Sequence, residues 1–399
     1  MNKNLLFISH QASRTGAPIV LLHLLRWLKQ HTPYQLTVLL QEGGEMEPEF
    51  REIGETLLWE PPAAPSGIWQ QRLRRVSKHT ARHQQRVRER LHQLAPKLIY
   101  ANTVVSADLA LLLKPVLNCP VVCHVHELAT VIDAFIGAER FTQLSPRIDC
   151  FVAASEAVAE NLRRSYQVPA ARIRTIHEFV PVLAAADFTL ARQQVRQELG
   201  IPADAFVVAG AGTIDWRKAP DVFIQVAQHV VAAGGQRVYF IWPGGKLQSE
   251  EGRRVRHDVE RAGLTDVVQF LGSKTNPHDY LSAADVFLLT SREDPYPLVC
   301  LEAAALGKPV LCFDRAGGMP EFVEQDCGVI LPYLRADLMA AAVLQLRADR
   351  PLRQRLGDNA ARKLRERHSV EQAGSRVSQL LAELLAGSFA ASSTEAVND

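Results

Sequence analysis

Short apolar runs recur along this chain without the polar alternation of a half-exposed sheet, and segments of helical spacing separate them. Runs of this kind predict parallel strands covered on both faces. They fall into two series. The first occupies residues 5–9, 36–40, 98–101, 121–124, 150–153 and 173–176; the second occupies 206–211, 238–242, 267–271, 286–290, 309–313 and 329–331. Strand and helix alternating twice over predict an α/β chain of two doubly wound domains. The expected limits are a first domain over 1–178, a connection with a short helix over 179–205, a second domain over 206–386 and a disordered tail over 387–399.

Composition narrows the class. With 47% hydrophobic and 22% charged residues, 399 residues can bury two sizeable cores, so a disordered or low-complexity chain is excluded. The formal charge of +2 gives no global excess that would mark a nucleic-acid binder, and any polyanion contact must be local. The first residues lack a signal-peptide pattern and no stretch reaches the roughly 20 apolar residues of a membrane span. A cytoplasmic protein is expected. The six cysteines lie mostly in strand-like segments with no paired spacing, which predicts buried, reduced thiols.

Ligands of an open parallel sheet bind where loops leave the carboxyl ends of its strands. In the second series those loops are 212–218 (Gly-Thr-Ile-Asp-Trp-Arg-Lys), 243–246, 272–274, 291–297 (Ser-Arg-Glu-Asp-Pro-Tyr-Pro) and 315–318. Five glycine-bearing or charged loops on one edge favour a phosphate-containing ligand. A helix is predicted over 298–306, stopped by Gly307 and Pro309. The amides of Leu298 and Val299 in its first turn have no intrahelical acceptor and favour an anion. Glu302, one turn on, can accept hydrogen bonds from vicinal hydroxyls, and Asp294 stands eight residues before it. Spacing alone leaves a second reading open, in which Asp294 caps the helix and Glu302 is merely solvated.

The stretch 291–309, Ser-Arg-Glu-Asp-Pro-Tyr-Pro-Leu-Val-Cys-Leu-Glu-Ala-Ala-Ala-Leu-Gly-Lys-Pro, resembles the signature of the family 4 retaining glycosyltransferases, in which seven residues separate two acids. The resemblance implies the GT-B fold, two Rossmann-like doubly wound domains facing across a cleft, with the last helix packing back on the first domain. It implies a nucleotide-diphosphate sugar as donor, Glu302 on the nucleotide ribose and Asp294, here in place of the family's usual Glu, on the transferred sugar. Lys218 matches the lysine that binds the donor diphosphate. Thr213 stands where the family has arginine, so Arg217 is a candidate for the missing charge, a solvent-facing role being the alternative. The segment at Leu271 resembles the one whose main chain meets the nucleobase, and Tyr296, Leu298 and Val299 belong to the same donor-binding run. In the first domain, Gly16 lies in the loop resembling the family's amino-terminal loop beside the donor phosphates. His126, at a strand end beside His124 and Glu127, matches a histidine near the transferred sugar.

The activity so implied is a metal-independent, retaining hexosyl transfer to a glycan, lipid-linked or small-molecule hydroxyl, with no cofactor and no nucleic-acid partner, in surface-polysaccharide assembly. Asp294, His126 and Lys218 are the candidate catalytic residues, and no metal ligand set is expected, a third group beside the two histidines not being evident. Two alternatives stay open: a nucleotide-sugar epimerase of the same fold, and an inactive nucleotide-sugar-binding scaffold. Residues 69–93 stand apart, with eight Lys or Arg against the single Glu89. Leu73, Val76, Val87 and Leu91 recur there at helical spacing, which predicts an amphipathic helix that rests on anionic lipid at the inner face of the membrane, grips an acidic acceptor or packs on its own domain.

Overall fold

The computed structural model describes residues 3–60, 72–182 and 188–387, with residues 72–79 as backbone only. The apolar runs form two parallel sheets. The first contains β1 (Asn4–Ser9), β2 (Gln35–Leu40), β3 (Glu55–Leu58), β4 (Ile99–Asn102), β5 (Val121–Val125), β6 (Cys150–Ala153) and β7 (Ile173–Thr175), in the order β3-β2-β1-β4-β5-β6-β7. The second contains β8 (Phe206–Ala209), β9 (Val238–Pro243), β10 (Val268–Gly272), β11 (Val286–Leu289), β12 (Val310–Phe313) and β13 (Gly328–Leu331), in the order β10-β9-β8-β11-β12-β13.

All the runs read as strands are strands. The one they miss is β3, whose Glu-Thr-Leu-Leu is short, half-exposed and at the sheet edge, so it lacks the apolar density that marks the others. Leu5, Leu6, Phe7 and Ile8 are all fully buried, because helices cover both faces of the sheet and leave no polar side. Each sheet reverses its strand order once, at β1/β4 in the first and β8/β11 in the second. Those reversals are where the carboxyl-end loops diverge and leave room for a ligand.

The chain divides into two compact units, one ending at Glu178 and resuming at Val370, the other running from Phe179 to Ser369. The terminal helix Val370–Leu385 packs on the helix Gly16–His31 of the first unit. The approach is close: a Cβ on Gly374 would lie 2.4 Å from the Trp27 ring. The helix Thr189–Glu198, within the stretch read as a connection, is knit into the second unit by Arg192 and Arg196, both bonded to the Asp285 carboxylate. Of the expected disordered tail, residues 388–399 lie outside the described residues.

All six cysteines are buried and free. The basic segment is the helix Arg72–Leu94. Its Val87 and Leu91 lie in the core of the first unit, Arg90 pairs with Glu55 of β3, and Arg88 covers the Trp59 ring. In this half the apolar stripe packs on its own domain. Residues 69–71 and the side chains of Leu73 and Val76 lie outside what is described. Among the described residues no helix is long and apolar enough to cross a membrane.

Candidate functional site

In the second unit, the loops after β8 and β11 meet at the point where the strand order reverses. Lys218 and Asp294 join them: Nζ lies 2.6 Å from Oδ2, and Arg217 Nη1 lies 3.1 Å from Oδ1 of the same carboxylate. Arg217 is therefore paired, not solvent-facing. The Ser291 hydroxyl donates to Asp294 at 3.0 Å. Asp294 is only 4% exposed, and burial alone would raise its pKa. The charges on Lys218 and Arg217 and the bonds from Lys218 and Ser291 outweigh burial and hold the carboxyl below its usual range. The helix Leu298–Ala305 carries no side-chain cap, so the reading of Asp294 as a helix cap is set aside.

Backbone geometry fixes this arrangement. Asp294 N–H donates to the Ala316 carbonyl at 2.7 Å, and Gly317 adopts φ 137°. A Cβ on Gly317 would fall 1.7 Å from the Asp294 carbonyl oxygen, so only glycine lets the two loops touch. On the other side, Asp215 accepts from the Lys218 amide at 2.8 Å and from the Thr213 hydroxyl, which winds the loop so that the Lys218 side chain lies against Gly212. Thr213 itself is exposed and adds no charge.

The amides of Leu298 and Val299 carry no hydrogen bond to a described residue, which leaves two donors at the amino end of the helix. Glu302 is partly exposed and makes no side-chain hydrogen bond with a described residue; His278 Nε2 lies 3.9 Å from its Oε1. Burial raises its pKa against the pull of His278. Lys218, Asp294 and Glu302 all lie within electrostatic reach of the buried Cys300 thiol, whose pKa burial and the two carboxylates push up. At the end of β10 the register shifts between Phe270 and Gly272, so Leu271 drops out of the ladder. Tyr296 departs from the expectation that it contacts a donor. It is 3% exposed, with its ring stacked on His368 inside the core, and it supports the loop by packing.

In the first unit, the residues after β4, β5 and β7 converge on His126. Its Nδ1 lies 2.5 Å from Glu178 Oε1 and its Nε2 2.9 Å from Asn102 Oδ1, while its amide donates to Glu127. Asn102 in turn donates to the Ala17 carbonyl at 2.9 Å, tying His126 to the start of the helix at Gly16. Gly16 is exposed, and Arg14 beside it pairs with Glu49. Burial would lower the His126 pKa, but the charge of Glu178 and its hydrogen bond, with Glu127 behind, raise it. Acceptors on both ring nitrogens suit an imidazolium. Burial lifts Glu127 to about 7. The His124 ring lies 3.9 Å from the His126 ring, tilted by 39°, and its Nδ1 shares a hydrogen bond with the Tyr100 hydroxyl; its own pKa is driven well down by burial and by His126.

Sequence reading missed Glu178, which supplies the third group beside the two histidines. Donor atoms of His124, His126 and Glu178 lie within 4.8 Å of one another and could hold a cation, though both His126 nitrogens already have partners. Glu178 follows the last strand of its sheet, and its place at a carboxyl end is the signal that marks it. His278 was also missed; an isolated histidine in a seven-residue helix gives no such signal.

Two reversing parallel sheets with their anion-suited loops at a switch point define a GT-B architecture, and the comparisons agree. The model described as Glycosyltransferase Family 4 matches residues 14–182, and that described as Glycosyl transferases group 1 matches 191–363. The chain belongs to the family 4 glycosyltransferases. A lipopolysaccharide core biosynthesis glycosyltransferase of Rhizobium meliloti is 32% identical over 204 residues, 50% of this chain and 57% of that protein. A D-inositol 3-phosphate glycosyltransferase of Streptomyces bingchenggensis is 29% identical over 262 residues, 63% of this chain and 56% of that one. The matches thus span a little over half the length of these relatives. Among solved structures, Anabaena Alr3699/HepE in complex with UDP-glucose aligns with TM-score 0.79 at 20% identity, covering 95% of this chain and 99% of that one. Sucrose-phosphate synthase of Thermosynechococcus elongatus aligns with TM-score 0.78 at 22% identity, covering 96% and 100%.

Proposed function

We propose that this chain is a retaining glycosyltransferase that moves a hexosyl group from a nucleotide-diphosphate sugar to an acceptor hydroxyl without a divalent ion. The observation that carries the reading is the Lys218–Asp294 pair at 2.6 Å, with Arg217 on the second oxygen, at the β8/β11 reversal. Two cations held in place before the ligand arrives need no reorganisation when charge builds on a leaving diphosphate. Lys218 has three donors and keeps Asp294 with one while turning others to phosphate. The open amides of Leu298 and Val299 add neutral donors on a helix end whose dipole favours anions.

Glu302 is assigned to the ribose hydroxyls, Leu271 to the nucleobase through its main chain, and Asp294 and His126 to the transferred sugar. Gly16, exposed at a helix start, is assigned to the donor phosphates. In the transfer, the bond from the anomeric carbon to the diphosphate oxygen breaks and its electron pair leaves with the phosphate. The acceptor oxygen bonds that carbon on the same face, and its proton passes to the departing phosphate oxygen. His126, held as an imidazolium by Glu178, donates to a sugar hydroxyl by giving up its Nε2 bond to Asn102. The lipopolysaccharide-type relative supports a glycan or lipid-linked acceptor. Contact with a membrane is proposed only for the amino-terminal part of the 69–93 segment, because Val87 and Leu91 are spent in the core. Binding to anionic vesicles that survives removal of Arg72, Arg74 and Arg75 contradicts it.

The test is proton NMR of reactions with a panel of nucleotide-diphosphate sugars in the presence of a chelator. The expected product keeps the anomeric configuration of the donor. An inverted product, or turnover only after a divalent ion is restored, refutes the corresponding half of the proposal; a change of the donor sugar with no acceptor present points to an epimerase.

A further inference from the structure

The second unit carries a strongly cationic cavity that the transfer reaction does not use. It has a volume of about 840 Å³ and lies at the amino ends of the strands, beside Phe206 at the start of β8, Asp285 just before β11 and Lys308 just before β12. The loops of Lys218 and Asp294 leave the opposite, carboxyl ends. Seven Lys or Arg line the cavity against two carboxylates, Asp204 and Asp285.

The cations differ in how they are held. Arg192 and Arg196 are anchored, bonding Asp285 and the carbonyls of Ala283 and its neighbours, and Asp204 is taken by Arg237. Lys308 has one acceptor, the Ser282 carbonyl at 3.0 Å. The guanidinium groups of Arg347 and Arg350, flanking the break between two helices, have no hydrogen bond or ion pair with any described residue. Both carboxylates in the cavity are already committed, so the positive charge of Lys308, Arg347 and Arg350 is uncompensated by the protein. Burial and the neighbouring arginines lower the Lys308 pKa to about 8, as expected of an ammonium waiting for a counter-charge.

We propose that this cavity binds a small soluble polyanion carrying two or more phosphate groups. Its volume is in the upper range of small-molecule sites. Recognition rests on charge, because the aromatic ring in the lining, Phe206, is already covered by Arg353 at 5.1 Å and offers no open face to a base. A concave site with anchored arginines at its floor and unpaired ones at its edge suits bidentate contacts to phosphate oxygens. The proposal does not depend on the transfer reaction.

Inorganic tripolyphosphate is the probe, titrated by calorimetry at low salt into the full chain and into R347Q/R350Q. Neither arginine makes a contact the fold needs, so the double variant should unfold at the wild-type temperature. Its affinity at this site should fall by about tenfold or more, or one of two binding events should vanish if tripolyphosphate also enters the Lys218 loops. R376Q, which removes an exposed arginine on the helix Val370–Leu385 of the first unit, should bind as wild type does. Isotherms of wild type and R347Q/R350Q that superimpose overturn the proposal, and so does an equal loss in R376Q. Anionic phospholipid vesicles that bind through Arg347 and Arg350 while tripolyphosphate does not bind also overturn it, in favour of a lipid surface.

Discussion

Replacing Lys218 with methionine keeps the apolar stem and removes the ammonium 2.6 Å from the Asp294 carboxylate. Asp294, 4% exposed, would keep Arg217 at 3.1 Å and the Ser291 hydroxyl at 3.0 Å. Stranding a buried charge outright costs about 3–5 kcal/mol, and with Arg217 still in place we expect roughly 2 kcal/mol. For a unit of this size that is a fall of about 4–8 °C in the unfolding midpoint. Adding Asp294→Asn in the same chain removes the stranded charge, so the double variant should recover about 1 kcal/mol or more, a coupling that a double-mutant cycle reads directly. The pH dependence has a fixed sign. Asp294 is depressed in the folded state, so its contribution is present above the unfolded value near 3.8 and disappears as the pH falls through the folded one. Circular dichroism during thermal and urea unfolding of the four proteins supplies the cycle. A K218M protein within about 0.5 kcal/mol of wild type, or a double variant no more stable than K218M, refutes the view that this pair organises the two loops.

Gly317→Ala puts a methyl group 1.7 Å from the Asp294 carbonyl in a left-handed backbone, and should cost about 3 kcal/mol or more in urea unfolding. Glu178→Gln removes the charge that raises His126, so the His126 imidazole titration seen by NMR should move to lower pH. Because that folded pKa lies above the unfolded one, the stability lost is lost below about 6.5 and vanishes as the pH rises through the folded value. Lys308→Met should stabilise the chain at neutral pH by about 1–3 kcal/mol, since its folded pKa of about 8 lies below the reference 10.5. The gain should fade as the pH rises from 8 towards 10.5, which differential scanning calorimetry across that range checks.

The sheets were legible because a strand covered on both faces must be apolar throughout, as Leu5 to Ile8 and Val310 to Phe313 are. Strand β3 was not, because partial burial and an edge position relax that demand. Lys218 and Asp294 were legible as charged residues in loops at the carboxyl ends of strands, and Glu302 as a carboxylate one turn into the helix that follows. Which charge paired with which was not: two neighbouring basic residues, Arg217 and Lys218, meet the carboxylate of Asp294, 76 positions beyond Lys218, and only the crossover of the sheet brings them together. Glu178 was hidden for the same reason, being 52 residues from His126. Tyr296 was read as a ligand contact because it belongs to the same motif run as Leu298 and Val299, but its ring is buried against His368, where burial of an aromatic side chain outweighs exposure at the loop.

Calorimetric titration of a nucleotide-diphosphate sugar panel into wild type, K218M and Glu302→Ala tests the central claim most directly. We expect at least one donor to bind the wild type, with affinity reduced about tenfold or more in each variant, K218M through the diphosphate and Glu302→Ala through the ribose. Binding that is indifferent to both substitutions, in proteins that remain folded, would place the donor elsewhere and contradict the account.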